Sequence, residues 1–270
     1  MKSFYDKAYL NNIIVMSVDI ETKDIRSSAQ VLSIGAVIYE IPAAYEPNAF
    51  EFGKYKELDS FYVNIDPDTY PKNGKFTSGK ETMDWWFTQP EAFAQLGPNR
   101  RPAADAFSEF YQFYYQNVSD ETPALVVGKP SHFDIPILEN GLRHVKGQMD
   151  EFGKVPWKHY EVFCLRTFLQ QTRFDQNDIP FEGTQHNALD DARWQARVHT
   201  AAQVEFLKKL SDAEKWADLS SKTPVSPAVP VLDLGNLVAD PIGETPPPAP
   251  LPIYPQAPGT PDPLNDEIPF

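Results

Sequence analysis

Residues 13–20 read IIVMSVDI, and the next two residues complete D-I-E-T at 19–22. The run is apolar on both faces until its end, the pattern of a central strand covered on both sides. Strand alternation sends Asp19 and Glu21 to one face and Ile14, Met16, Val18 and Ile20 to the other. Two carboxylates at the lip of a buried strand are costly unless cations offset their repulsion, and hard divalent ions with oxygen ligands do that. By itself D-I-E-T also fits an acidic pair opening a solvated turn, and the rest of the chain has to decide between the two.

Outward from this strand, residues 31–39 (VLSIGAVIY) form a second strand and 61–65 a third, so the chain opens as an antiparallel meander. Residues 40–59 are polar and irregular and read as an insertion at the sheet edge. Helical periodicity covers 82–96 and 103–116. Residues 124–128 (ALVVG) form a short buried strand followed by a helix over 134–144. A fifth strand over 159–163 runs into a helix that ends at 170, and 187–210 is the longest helix. A meander followed by strands alternating with helices predicts an α/β mixed sheet with helices on its faces.

The 270 residues carry 38 acidic against 24 basic groups, but the distribution is uneven. Residues 223–270 hold 14 prolines, 6 acids and no Lys or Arg, which predicts a disordered, Pro-rich tail. Residues 1–222 then form one domain with 24 basic and 32 acidic residues, a net charge of −8. An acidic balance argues against broad electrostatic binding of nucleic acid, which depends on Lys and Arg. It does not exclude a nuclease that gathers carboxylates around bound cations. The lone Cys164 rules out a disulfide framework or a Cys-based zinc cluster and reads as a small core residue. The opening MKSFYDKAYLNN lacks an apolar signal-peptide core, and no run approaches the roughly 20 apolar residues of a membrane span, so a cytoplasmic protein is expected.

Two further acids and a histidine join the first pair. Asp134 lies in GKPSHFDIPIL, just beyond ALVVG, and ligands of open α/β sheets gather beyond strand carboxyl ends. A plain helix N-cap is the alternative for it. In TQHNALDDARWQARVHTAAQVEFLKKL, 100° per residue aligns Asp191 with Val198, Ala202 and, more loosely, Gln195 on the rim of the apolar face. Asp190 aligns with Arg197 and Lys208 on the polar side. Asp191 is thus expected to point inward and Asp190 outward, with His186 five residues before Asp191.

D-I-E-T, F-D and H-x-A-x-x-D, in this order over about 175 residues, resemble the DEDDh group of DnaQ-like 3'-5' exonucleases. GKPSHFDIPIL, TMDWWFTQ and FCLRTF are similar to phage DexA-type exonucleases and their Rv-type exoribonuclease relatives. The resemblance implies an RNase H-like fold and a 3'-5' exonuclease acting on single-stranded ends, with DNA the expected polymer and RNA the rival. It also implies that Asp19, Glu21, Asp134 and Asp191 hold two Mg²⁺ or Mn²⁺ ions, Asp19 bridging them, and that His186 is the general base. Related enzymes are often homodimers, and a phage-infected bacterial cytoplasm is the implied setting. The phage-type pattern usually has Asn where this chain has Lys129, which a phosphate contact would explain.

Other signals are weaker. Trp85, Trp86 and Phe87 suit either base stacking or core packing. Lys129, Arg143, Lys146, Arg166 and Arg173 are candidate phosphate contacts. GKFTSGKE at 74–81 misses a P-loop because Glu81 replaces the hydroxyl residue and no strand precedes it. The terminal NDEIPF resembles the acidic tip of bacterial single-stranded DNA-binding proteins. Of its Ile268, Pro269 and Phe270, Phe270 would fill an apolar pocket on host proteins that bind that tip while its carboxylate meets a basic residue, steered by Asp266 and Glu267. An interaction protein working through this tail is the rival from a different functional class.

Overall fold

The computed structural model describes residues 12–46, 51–119, 122, 124–145 and 155–222, with side chains to residue 214. Strand β1 (Ile13–Thr22) is central, as its two-sided apolar pattern requires. It pairs antiparallel with β2 (Val31–Ile41), which pairs antiparallel with β3 (Lys56–Asp66). On its other side it pairs parallel with β5 (Ala124–Gly128), and β5 with β6 (Val162–Cys164). The two-residue β4 (Arg101–Pro102) closes the far edge, giving the order β4-β3-β2-β1-β5-β6. This is the expected RNase H-like mixed sheet, with one edge strand too short for periodicity to reveal.

Several boundaries differ from expectation for identifiable reasons. β2 and β3 are longer, so the stretch between them shrinks to 42–55 and links two neighbouring strands instead of lying at the sheet edge. The first four residues of β3 are exposed, and cross-strand polar pairing holds them, with Lys56 Nζ 3.0 Å from Glu40 Oε2. The expected helix over 82–96 is two helices, α1 (Lys80–Trp86) and α2 (Pro90–Gln95). Pro90 lacks the N–H that would continue α1 and suits the first turn of α2. Helix α3 (Ala103–Asn117) follows β4. Helix α4 (Ser131–His144) starts three residues early, so Asp134 lies in its first turn and is not its cap. β6 is preceded by a 3₁₀ turn and continues into α5 (Leu165–Thr172).

Helix α6 (Ala188–Lys222) extends well past the expected end at 210. The Asn187 side chain caps it by accepting from the N–H groups of Leu189 and Asp190. Met16, Val18 and Ile20 on one face of β1 join Phe107 and Phe110 of α3 and Leu138 of α4 in the main core. The opposite face receives α6. Its residues meet the sheet in sequence, with Ala188 against Gly35, Gln195 bonded to Ser17 and Asp19, His199 to Tyr39, and Gln203 to the Pro42 carbonyl. Among the described residues no helix is long and apolar enough to cross a membrane.

Candidate active site

A close approach between α6 and the sheet builds the site. Asp19 and Glu21 leave the end of β1 on the face covered by α6. A Cβ at Gly35, the register partner of Asp19, would fall inside the backbone of Ala188 and Leu189. Only glycine lets the start of α6 sit this close to the sheet. Asp191, in the first turn of α6, consequently reaches the β1 pair. One carboxylate oxygen from each of Asp19, Glu21 and Asp191 lies within 4.8 Å of the others.

Asp134 enters from α4 and is 3 % exposed. Its carboxylate accepts from the backbone N–H groups of Ile20, Lys129 and Asp134 itself. The Ile20 bond ties it to the strand end between the first two acids. Asp134 and Asp191 both occupy helix first turns, where the helix dipole favours a negative group.

The charges nevertheless outnumber the compensation. Burial, reinforced by Asp191 and Asp134, pushes Asp19 well above the usual carboxylate range. Burial and then Asp19 do the same to Glu21. Asp134 and Asp191 rise to about 7, burial again the main cause. Lys129 eases the charge on Asp19 and Asp191, and Arg166 that on Asp134. The Lys129 ammonium lies 4.7 Å over the Trp194 ring, and the Trp194 indole donates to Ile179 O. A hard-oxygen donor set with surplus negative charge fits a divalent cation of the Mg²⁺ or Mn²⁺ class.

His186 sits in the left-handed region, φ 61°, immediately before the Asn187 cap. Its loop is pinned at several points. Asp190 accepts from Thr184 N–H at 2.9 Å, Gln95 donates to Thr184 Oγ1 at 2.9 Å, and Asn187 donates to Gln95 Oε1 at 2.6 Å. The imidazole stands edge-on to Trp85, ring centroids 4.9 Å apart, and its backbone donates to Asp191.

Other sequence candidates fare unevenly. Trp86 is fully buried, its indole donating to Thr22 O, so it packs the core and offers no face to a base. Trp85 is half-buried beside His186, and Phe87 is exposed. Asp190 is not simply outward, because it clamps the His186 loop. The supposed polar side of α6 is covered too, with Arg197 buried and donating to Gly53 O and Pro180 O. Arg143 pairs with Glu139, and exposed Arg173 ends α5. Lys146 and the tail residues 266–270 lie outside the described residues. Cys164 is not an enclosed core residue. It precedes α5, half-buried. Burial alone would raise its thiol, but hydrogen bonds with Thr167 and Ser131 prevail and bring it down to about 7.

Residues 15–203 match the family described as the 3'-5' exoribonuclease Rv2179c-like domain. The chain belongs to this Rv2179c-like family. Its activity class is therefore that of a 3'-5' exonuclease, a hydrolase. No curated protein matches the sequence. Among solved structures, cell-death related nuclease 4 (CRN-4) is 15 % identical with TM-score 0.42, the match covering 69 % of this chain and 62 % of that one. The nuclease domain of 3'hExo, described as a DEDDh family member bound to rAMP, is 13 % identical with TM-score 0.42, covering 75 % and 94 %. S. pombe Pop2p in its Mg²⁺- and Mn²⁺-bound form is 13 % identical with TM-score 0.38, covering 69 % and 81 %.

Two residues at the candidate site had usable sequence signals. A glycine inside the β-branched run VLSIGAVIY marks close backbone approach, which the motif reading passed over. Gln195, four residues after Asp191, was placed on its helix face but given no role. Gln95 and Trp194 act through contacts that no local pattern announces.

Proposed function

We propose that this Rv2179c-like chain is a two-metal 3'-5' exonuclease that removes nucleoside 5'-monophosphates from single-stranded ends. The observation that supports it most is the convergence of Asp19, Glu21 and Asp191, from elements about 170 residues apart, to within 4.8 Å. Asp19, Glu21, Asp134 and Asp191 would hold the ions. When bound, two such ions supply Lewis acidity to the attacking water and the leaving 3'-oxygen. His186 takes the proton of that water, a task that suits histidine as a general base. Lys129 and Arg166 meet the phosphates, and Trp85 stacks on the terminal base.

The family description favours RNA as the polymer, while the DexA-like motifs and the tip-like tail favour DNA in a phage setting. Release of mononucleotides from matched 3'- and 5'-labelled single-stranded DNA and RNA, with and without Mn²⁺, tests the reading. Metal-dependent release from the 3' end is expected, and the rate ratio selects the polymer. His186→Ala is expected to lose about 10²- to 10⁴-fold in turnover while Mn²⁺ binding survives. No release from either polymer overturns the reading. For the tail, Ile268, Pro269 and Phe270 are proposed to dock on proteins that bind the single-stranded DNA-binding protein's tip. Unchanged binding after deleting those three residues refutes that proposal.

A further inference from the structure

Between the carboxylates and the sheet lies a buried amide that the catalytic reading does not use. Gln195 is 3 % exposed on α6, one turn beyond Asp191. Its Nε2 donates to Asp19 Oδ1 at 2.9 Å, and its Oε1 accepts from the Ser17 hydroxyl at 3.2 Å. Ser17 and Asp19 are two apart on β1, on the same face, so one side chain spans consecutive inward positions of the central strand. The amide has one sensible orientation. Turned over, it would set its carbonyl oxygen against a carboxylate, and the Ser17 hydroxyl reinforces the productive setting by donating to Oε1.

We infer that Gln195 is a positioning residue for Asp19, holding Oδ1 so that the carboxylate stays turned toward Glu21 and Asp191 as a cation ligand. The inference rests on the proposed metal site and adds to it the group that orients its central carboxylate. Without this bond Asp19 can rotate about its side-chain torsions away from Glu21 and Asp191, since mutual repulsion favours separation whenever no cation is bound. Gln195 thus keeps the ligands together before a cation arrives. Its placement depends on α6 lying close to β1, the approach that Gly35 permits. Ser17 acts one step further out, through Gln195.

Partners that orient ligands in this way typically change metal affinity about 10- to 100-fold when removed. The test uses the full chain and Mn²⁺ alone, titrated calorimetrically into metal-free wild type, Gln195→Met and Ser17→Ala. Methionine keeps the length and removes both hydrogen bonds. Gln195→Met is expected to weaken Mn²⁺ binding about 10-fold and Ser17→Ala about 3-fold, with turnover recovering at saturating Mn²⁺. A merely structural glutamine would instead lower the metal-free melting temperature and leave Mn²⁺ affinity unchanged. Equal Mn²⁺ affinity in Gln195→Met and wild type overturns the inference. Should Gln195→Met not fold, wild-type affinity in the milder Ser17→Ala overturns it. Absence of Mn²⁺ binding by wild type overturns the metal site itself, and the inference with it.

Discussion

The interface between α6 and the sheet buries polar groups at two places, and they are treated in opposite ways. Toward residue 199, the Tyr39 hydroxyl shares a 2.7 Å hydrogen bond with His199 Nδ1, and the imidazole stacks on Phe163 at 5.4 Å. Burial drives His199 down to about 3, so this pair is neutral at physiological pH and complete in itself. Toward residue 191, Asp19, Glu21 and Asp191 crowd together with Asp134 and are pushed far up by burial and by one another. The same helix on the same sheet thus closes one polar pair and leaves the other region charged beyond what Lys129 and Arg166 offset. An unbalanced buried cluster is a poor way to hold a fold together and a good way to bind cations.

The sharpest break of that contrast is Asp19→Asn. Activity is expected to fall on the order of 10³-fold. The metal-free protein should nevertheless melt several degrees higher at pH 8, because one source of repulsion is gone. A lower metal-free melting temperature would mean that the cluster stabilises the fold and is not a strained binding site.

Gly35→Ala attacks the approach that creates the cluster. A methyl group there must push the start of α6 away from β2, costing about 3 kcal/mol and separating Asp191 from Asp19. Joint loss of stability and Mn²⁺ affinity is expected. Retained Mn²⁺ binding would show that the helix start is not what assembles the ligands.

A pH titration sharpens the comparison without mutation. The clustered carboxyls have folded pKa values above their unfolded ones, so between roughly pH 4 and 7 the native state binds more protons than the unfolded state. Stability of the metal-free protein therefore falls as pH rises through that window, by about 1.4 kcal/mol per retained proton per pH unit. Thermal melts from pH 5 to 8 in chelator should decline, and added Mn²⁺ should reverse the decline. A rising profile in chelator would refute the charge imbalance.

The smallest effect belongs to the closed pair. Tyr39→Phe leaves His199 Nδ1 without its partner and should cost about 1 kcal/mol, with Mn²⁺ affinity and turnover unchanged. A change in Mn²⁺ affinity would mean that the two regions are coupled through α6.

Much of this was legible beforehand. The strand IIVMSVDI, the meander after it and the inward face of Asp191 follow from periods of 2.0 and 3.6, which a strand and a helix express within a few residues. The split at Pro90 was available from proline chemistry, though the apolar spacing over 82–96 masked it. The cover over Arg197 was not legible, since it comes from residue 53, far from it along the chain, and from residues 180 and 182 in the irregular loop before α6.

What the sequence determined by itself is therefore the supply of parts: a two-sided apolar strand ending in two acids, a helix with an acid on its inner rim, and a motif order that resembles that of 3'-5' exonucleases. Tertiary structure alone decided their use. It set Gly35 against Ala188 so that Asp191 reaches Asp19, turned Gln195 onto Asp19 and Lys129 over Trp194, and sank Trp86 while leaving Trp85 beside His186. The physical reason is range. Periodicity and capping act over a few residues, whereas burial, charge crowding and close backbone approach depend on groups more than 50 positions apart that meet only when the helices pack on the sheet.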